Sequence, residues 1–214
     1  EPRLMGAAPE LRGVQVDVDV GVCGVTRGAF IMRGALAVGA VYGVEAVGPY
    51  VAGAFAATST SDLDVLNFAL TLENIEAAFY QAAVAKVSLT GKADQLAREF
   101  GGHEAEHVKS LSQLVQQLGG KPAAAAKTKF KLTNQASFLK LAVTLEETGV
   151  SAYNGAATSI QSPDLLAAAG AIVQVEARHA GALRMVAGRD PAPLTFDKPL
   201  TPQQVAVAVK PFLG

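Results

Sequence analysis

The chain has 214 residues, enough to bury the core of one domain, and half of them are hydrophobic. Ala dominates that half, Trp is absent and only 6% of residues are aromatic, a balance that favours closely packed helices over sheet. A formal net charge of −1 argues against a nucleic-acid binder, which needs clustered basic residues, and Cys23 as the one cysteine excludes an intrachain disulfide framework.

Residues 1–57 read differently from the rest. Val14, Val16, Val18, Val20 and Val22 alternate with Gln15, Asp17, Asp19 and Gly21, a strand period with no evident partner strand. The segment at about 26–57 has the order of an export signal. Arg27 and Arg33 form a positive flank, a mildly apolar stretch of Gly, Ala and Val follows, and Ala52-Gly-Ala54 or Ala54-Phe-Ala56 supplies a small-x-small cleavage pattern. It is similar to a twin-arginine signal, with Phe30 and Ile31 as the apolar pair but Gly28 in place of the second arginine. Glu45, Pro49 and several glycines argue against a stable membrane-spanning helix. The expectation is an exported protein (periplasmic, cell-envelope or extracellular) with an extension at 1–57 and a globular domain at 58–214.

Ser61 or Asp62 caps the first helix of that domain, which the pattern extends to about Leu89, with Thr90-Gly91 as its stop. The second helix runs from about Lys92 to Leu118 and is stopped by Gly119-Gly120 and Pro122. The third starts near Asn134 or Gln135 and ends near Ile160. Ser162-Pro163-Asp164 opens the fourth, with Ser as cap and Pro at the first position, and Gly188 ends it. A short last helix follows Thr201-Pro202. The links within each pair of helices are tight. The link from Gly119 to Thr133 is long: extended, it reaches about 50 Å, against about 38 Å for a helix of 25 residues. It can span the bundle and set the third helix parallel to the second. The predicted fold is an all-α four-helix bundle, two helical hairpins joined by one long crossover, plus a short C-terminal helix.

Two of the three histidines end a Glu-x-x-His motif: Glu104-Ala-Glu-His107 and Glu176-Ala-Arg-His179. Each motif follows a lone carboxylate, Glu73 by 31 residues and Glu146 by 30, a spacing that suits two antiparallel helices with both groups near mid-height. The arrangement is an internal repeat. Thr71-Leu72-Glu73 matches Thr144-Leu145-Glu146, and Tyr80-Gln81-Ala82-Ala83 matches Tyr153-Asn154-Gly155-Ala156. Residues three apart on a helix share a face, so four carboxylates and two imidazoles converge on the bundle axis. Four buried carboxylates ask for two divalent cations. Oxygen and imidazole donors without thiolate suit iron or manganese, with zinc as an occupant in vitro. Pseudo-symmetry assigns one metal to Glu73 and His107 and the other to Glu146 and His179, with Glu104 and Glu176 bridging.

Other groups border this set. Glu76 lies three residues after Glu73 and its repeat counterpart is Gly149, so it reads as a group behind the ligands or a surface residue. Glu147 adjoins Glu146, about 100° round the helix, so only one of them points inward, and the repeat favours Glu146. His103 has Val175 as its counterpart and reads as a surface histidine or a partner of a ligand. Tyr80 and Tyr153 either hydrogen-bond ligands, pass electrons or simply pack. Lys127, Lys129 and Lys131 form a solvated edge of the crossover.

Residues 61–213 resemble the ferritin-like domain family of exported bacterial proteins, which includes desiccation-related proteins. The stretches Leu66-Asn-Phe-Ala-Leu-Thr-Leu-Glu73 and Leu141-Ala-Val-Thr-Leu-Glu-Glu-Thr-Gly-Val-Ser-Ala-Tyr153 carry the likeness, with Glu176-Ala-Arg-His-Ala180 and the tail Phe196-Asp-Lys-Pro-Leu-Thr-Pro202. The resemblance implies a di-iron or di-manganese carboxylate centre without fixing an activity. The expected partners are metal ions with dioxygen or peroxide, no nucleic acid, no stable membrane insertion after signal removal, and room for a homo-oligomer. Oxidase or peroxide-detoxifying chemistry is the first functional reading. A non-catalytic stress- or desiccation-related bundle with a vestigial or stabilising metal site is the alternative, and iron storage in a cage is a third.

Overall fold

A computed structural model describes residues 61–214. The valine-alternating run, the export-signal-like segment and the boundary at residue 57 lie outside the described residues. Five α-helices follow: α1 (Asp62–Lys86), α2 (Gly91–Gln117), α3 (Gln135–Ala156), α4 (Pro163–Val186) and α5 (Pro202–Val209). Short 3-10 turns at Ala157–Ser159 and Lys210–Phe212 extend α3 and α5. Among the described residues there is no strand, only an isolated bridge between Thr128 and Leu213.

The helix ends follow local chemistry. Ser61 accepts from the Asp64 amide while Asp64 accepts from the Ser61 amide, a reciprocal cap. Asn134 and Ser137 do the same for α3, and Ser162 caps α4 with Pro163 at the first position. Gly119 and Gly188 take positive φ (76° and 70°) just past α2 and α4, and the next amides, Gly120 and Arg189, bond back to Val115 and Arg184 at 2.9 and 2.8 Å. The end of α1 differs from expectation. The helix stops at Lys86, because Val87 turns to extended backbone and is buried there while its amide still bonds Ala83. Gly91 does not end α1; it opens α2 with φ 57°.

Contacts between helix ends fix the topology. The Asp62 carboxylate at the start of α1 accepts from the amides of Gln161 and Ser162 at the start of α4, at 2.6 and 2.9 Å. The Asn67 amide oxygen near that end accepts from Ala123, just beyond α2. At the opposite end Thr90, the residue before α2, donates its amide to Gln135, the first residue of α3. Thus α1 runs parallel to α4, α2 runs parallel to α3, and the crossover at 119–133 travels the bundle's length. The hairpins α1/α2 and α3/α4 make the most extensive contacts and meet through α1 on α3 and α2 on α4. Phe130 and Leu132 of the crossover pack on the core while Lys127, Lys129 and Lys131 stay exposed.

Two apolar clusters fill the interior. Phe79, Tyr80, Ala97, Phe100, Phe138 and Leu183 lie towards the end where α2 and α3 begin. Leu66, Leu70, Leu111, Val115, Ile160 and Leu165 lie towards the other end. Between them sits a buried polar layer of Glu73, Glu104, Glu146 and Glu176. The approach to α5 is held by the Leu200 amide bonding the Ser151 carbonyl at 2.9 Å. There a Cβ on Gly155 would stand 1.9 Å from the Leu200 carbonyl oxygen, whereas a Cβ on Gly170 of α4 would meet nothing within 4 Å. Gly155→Ala should therefore lose about 1–3 kcal/mol in urea unfolding, and Gly170→Ala should gain about 0.5–1 kcal/mol. Equal midpoints for the two variants would contradict this packing.

Candidate metal centre

Each of the four long helices brings one carboxylate to mid-height, and α2 and α4 add an imidazole one turn on. Glu73, Glu104, Glu146 and Glu176 have no exposed surface and His179 is 2% exposed; the His107 side chain keeps 14%. Their donor atoms form two groups, each gathered within 4.8 Å. One comprises Glu73, Glu104, His107 and Glu176; the other comprises Glu104, Glu146, Glu176 and His179. Glu104 and Glu176 belong to both.

Both imidazoles turn Nδ1 into the layer. His107 Nδ1 lies 3.1 Å from Glu73 Oε2, 3.1 Å from Glu104 Oε2 and 3.2 Å from Glu176 Oε1. His179 Nδ1 lies 3.0 Å from Glu104 Oε1 and 3.2 Å from Glu146 Oε2. A single N–H cannot serve so many acceptors. Glu104 Oε1 and both oxygens of Glu176 are buried without a hydrogen bond despite these close approaches. Orphaned, buried oxygens are costly, and here they belong to the two carboxylates shared by both groups. Donor atoms about 2.1 Å from one ion stand about 3 Å from their neighbours, the separation seen here. The donor set therefore fits divalent cations better than it fits hydrogen bonds among its own members.

The tyrosines cross between the repeats. Tyr153 of α3 donates its hydroxyl to Glu73 Oε1 of α1 at 2.5 Å. Tyr80 of α1 donates to Glu146 Oε1 of α3. Each lone carboxylate thus gives one oxygen to the other half's tyrosine and the other oxygen to the histidine of its own hairpin.

Three neighbours sort out as follows. Glu147 turns away from the layer to an ion pair with Arg184, while Glu146 is fully buried within it. Glu76 is 3% exposed, so it is not a surface residue, and its Oε2 has no partner. Its Oε1 would lie 3.1 Å from a Cβ at position 149, and Glu176 Oε2 would lie 3.3 Å from the same point. Gly149 is the space that a fifth carboxylate occupies. The sequence carried a trace of this in the three-residue step from Glu73 and the glycine at the matching place. His103 is exposed at its edge, yet its Nδ1 lies 2.9 Å from His179 Nε2.

Burial governs the charges. It pushes the Glu73 and Glu176 carboxyls up to about 8 and raises Glu76 and Glu146 well above the usual carboxylate range. Burial acts in the same sense on Glu104, but the close approach of the His107 and His179 imidazoles outweighs it and holds that group at about 2. Burial also disfavours charge on His107, and Glu104, Glu176 and Glu73 overcome it, raising the imidazole to about 12. Burial and then the facing carboxylates raise both tyrosines. Without a cation among them, burial favours the neutral form of most of these acids.

The linkage signs agree. Glu73 and Glu176 contribute stability that is complete below the unfolded value of 4.5 and is lost as pH rises to about 8. His107 loses its contribution upward from 6.5. Glu104, held low, loses its contribution only as pH falls below 4.5. The chelator-treated protein should therefore melt at a lower temperature at pH 8 than at pH 5, with about 2–4 °C for each kcal/mol lost. A melting temperature that rises across that interval in circular dichroism would refute the charge assignment.

The ferritin-like domain family matches residues 61–189. A search of curated proteins gives no match. Among solved structures, a conserved hypothetical protein from Mycobacterium tuberculosis, rv2844, is similar to this chain with a TM-score of 0.55 and 19% sequence identity. The superposition covers 63% of this chain and 96% of that one, and at that identity it speaks for the fold alone. With the family matched across the four long helices and the carboxylate layer at their centre, the chain belongs to the ferritin-like domain family.

Proposed function

We propose that this is an exported protein whose bundle holds a dinuclear carboxylate centre, iron first and manganese as the alternative, and that the centre serves oxidase or peroxide-consuming chemistry. The observation that carries the reading is the pair of donor groups overlapping at Glu104 and Glu176. Glu73 and His107 would hold one ion and Glu146 and His179 the other, with Glu104 and Glu176 shared between them. Four carboxylates then offset two divalent charges, which removes the cost of burying them unpaired. Two redox-active ions, when bound, supply electrons to dioxygen or peroxide. The chain's own part is positional. Tyr153 and Tyr80 hold one oxygen of Glu73 and of Glu146, so the remaining oxygen of each, beside the histidine of its own hairpin, would be left for the cation. The apolar clusters above and below keep the layer dry and strengthen every charge interaction inside it.

Export rests on the signal-like pattern at 26–57, and the extension at 1–57 is assigned to it with the bundle domain at 58–214. Among the described residues no helix is long and apolar enough to cross a membrane. One observation favours a second reading, a stress- or desiccation-related bundle with a stabilising metal: none of the four mid-layer carboxylates reaches the surface, and closed sites are the habit of structural metals.

Metal analysis after anaerobic reconstitution should find about two iron or manganese ions per chain, the number that four bridging and terminal carboxylates balance. The Glu104→Ala, Glu176→Ala double variant should lose them; full retention would overturn the ligand assignment. Ferrous oxidation or peroxide loss by the reconstituted protein, absent in the double variant, supports redox work. Retained metal with a higher melting temperature and no turnover supports the stabilising role instead.

A further inference from the structure

The internal repeat is broken beside one imidazole. His179 uses Nδ1 towards Glu104 and Glu146. Its Nε2 points out of the layer and meets His103 Nδ1 at 2.9 Å. The two rings lie 11° from parallel with centroids 5.1 Å apart. Phe100 stacks on His179 at 3.9 Å and on His103 at 6.1 Å, which holds both rings in place. His103 stands one turn before His107 on α2. Its counterpart one turn before His179 on α4 is Val175, which has no nitrogen to offer. His107 is also the more open of the two imidazoles, 14% exposed against 2%.

An imidazole that presents the Nδ1 lone pair to a cation carries its hydrogen on Nε2. At His179 that hydrogen would be donated to His103 Nδ1 across the 2.9 Å contact, and His103 would then keep its own hydrogen on Nε2 at the exposed edge. Partners of this kind fix the tautomer and ring orientation of a ligand and raise its basicity. Resting on the dinuclear reading above, we propose that His103 is a positioning residue that makes the two metal positions unequal. The position at Glu146 and His179 fills first and holds its ion more tightly; the position at Glu73 and His107 fills second. Glu104 and Glu176 belong to both donor groups, so the proposed difference is placed at the histidines.

The test is an anaerobic calorimetric titration of the full, metal-free chain with manganese(II), with the electron paramagnetic resonance spectrum recorded at one equivalent. The native protein should bind in two resolved steps and show an isolated, uncoupled ion at one equivalent. His103→Val, which copies Val175, should weaken the first step by about 10–100-fold and merge it with the second. His103→Gln keeps an acceptor for the His179 Nε2 hydrogen and should restore most of the separation. Two equal steps in the native protein, or an unchanged isotherm in His103→Val with melting intact, would overturn the proposal and leave the dinuclear reading standing. No manganese bound by the native chain would overturn both.

Discussion

Everything in this bundle answers to one cost, that of placing carboxylates in its dry centre. Glu73, Glu104, Glu146 and Glu176 have no exposed surface, and Glu76 joins them almost as deeply. Two histidines cannot neutralise five acids, so the layer takes up protons or cations. The apolar clusters on either side cannot relieve that cost; they create it by excluding water. What makes the arrangement tolerable is its geometry. Every long helix contributes an acid and α1 adds Glu76 as a second, each lone acid is tied by a tyrosine, and the shared acids belong to both donor groups.

The helical hairpins supply that geometry cheaply. A lone carboxylate on one helix and a Glu-x-x-His on the next come to the same height because a short turn joins two helices of similar length, 25 and 27 residues in the first hairpin and 22 and 24 in the second. The long crossover then sets the hairpins so that α1 faces α3 and α2 faces α4. A short turn there would have left α3 antiparallel to α2. The crossing hydrogen bonds of Tyr80 and Tyr153 depend on that choice.

What could be read from the chain alone divides by distance. Caps, glycine stops and the length of the crossover are local, and Ser61, Gly119, Ser162 and Gly188 behave as their chemistry dictates. The convergence of Glu73, Glu104, His107, Glu146, Glu176 and His179 was legible because the repeat carries it twice. The choice of Glu146 over Glu147 to face the layer came from the same source. Features that occur once were poorly legible. Glu76 was ambiguous because nothing in the other half matches it, and its burial depends on space left by Gly149 on a different helix. The tyrosines' crossed partners and the meeting of His103 with His179 are contacts between elements far apart in sequence, set by packing that no local pattern encodes. The early end of α1 is not legible in the chain because Val87 stops the helix by being buried in an extended conformation, whereas Gly91 belongs to the next helix.

The crossed tyrosines also bear on how such a chain can change over time. Tyr80 secures a carboxylate of the other half, and Tyr153 returns the contact. A substitution at either tyrosine is therefore felt first in the opposite repeat, at a residue more than sixty positions away. The two halves are not independent copies: each ties a carboxylate in the other's interior. The repeat is broken instead at His103 against Val175 and at Glu76 against Gly149, where one half reaches into what the other leaves open. Those are the places where this sequence has let its symmetry go.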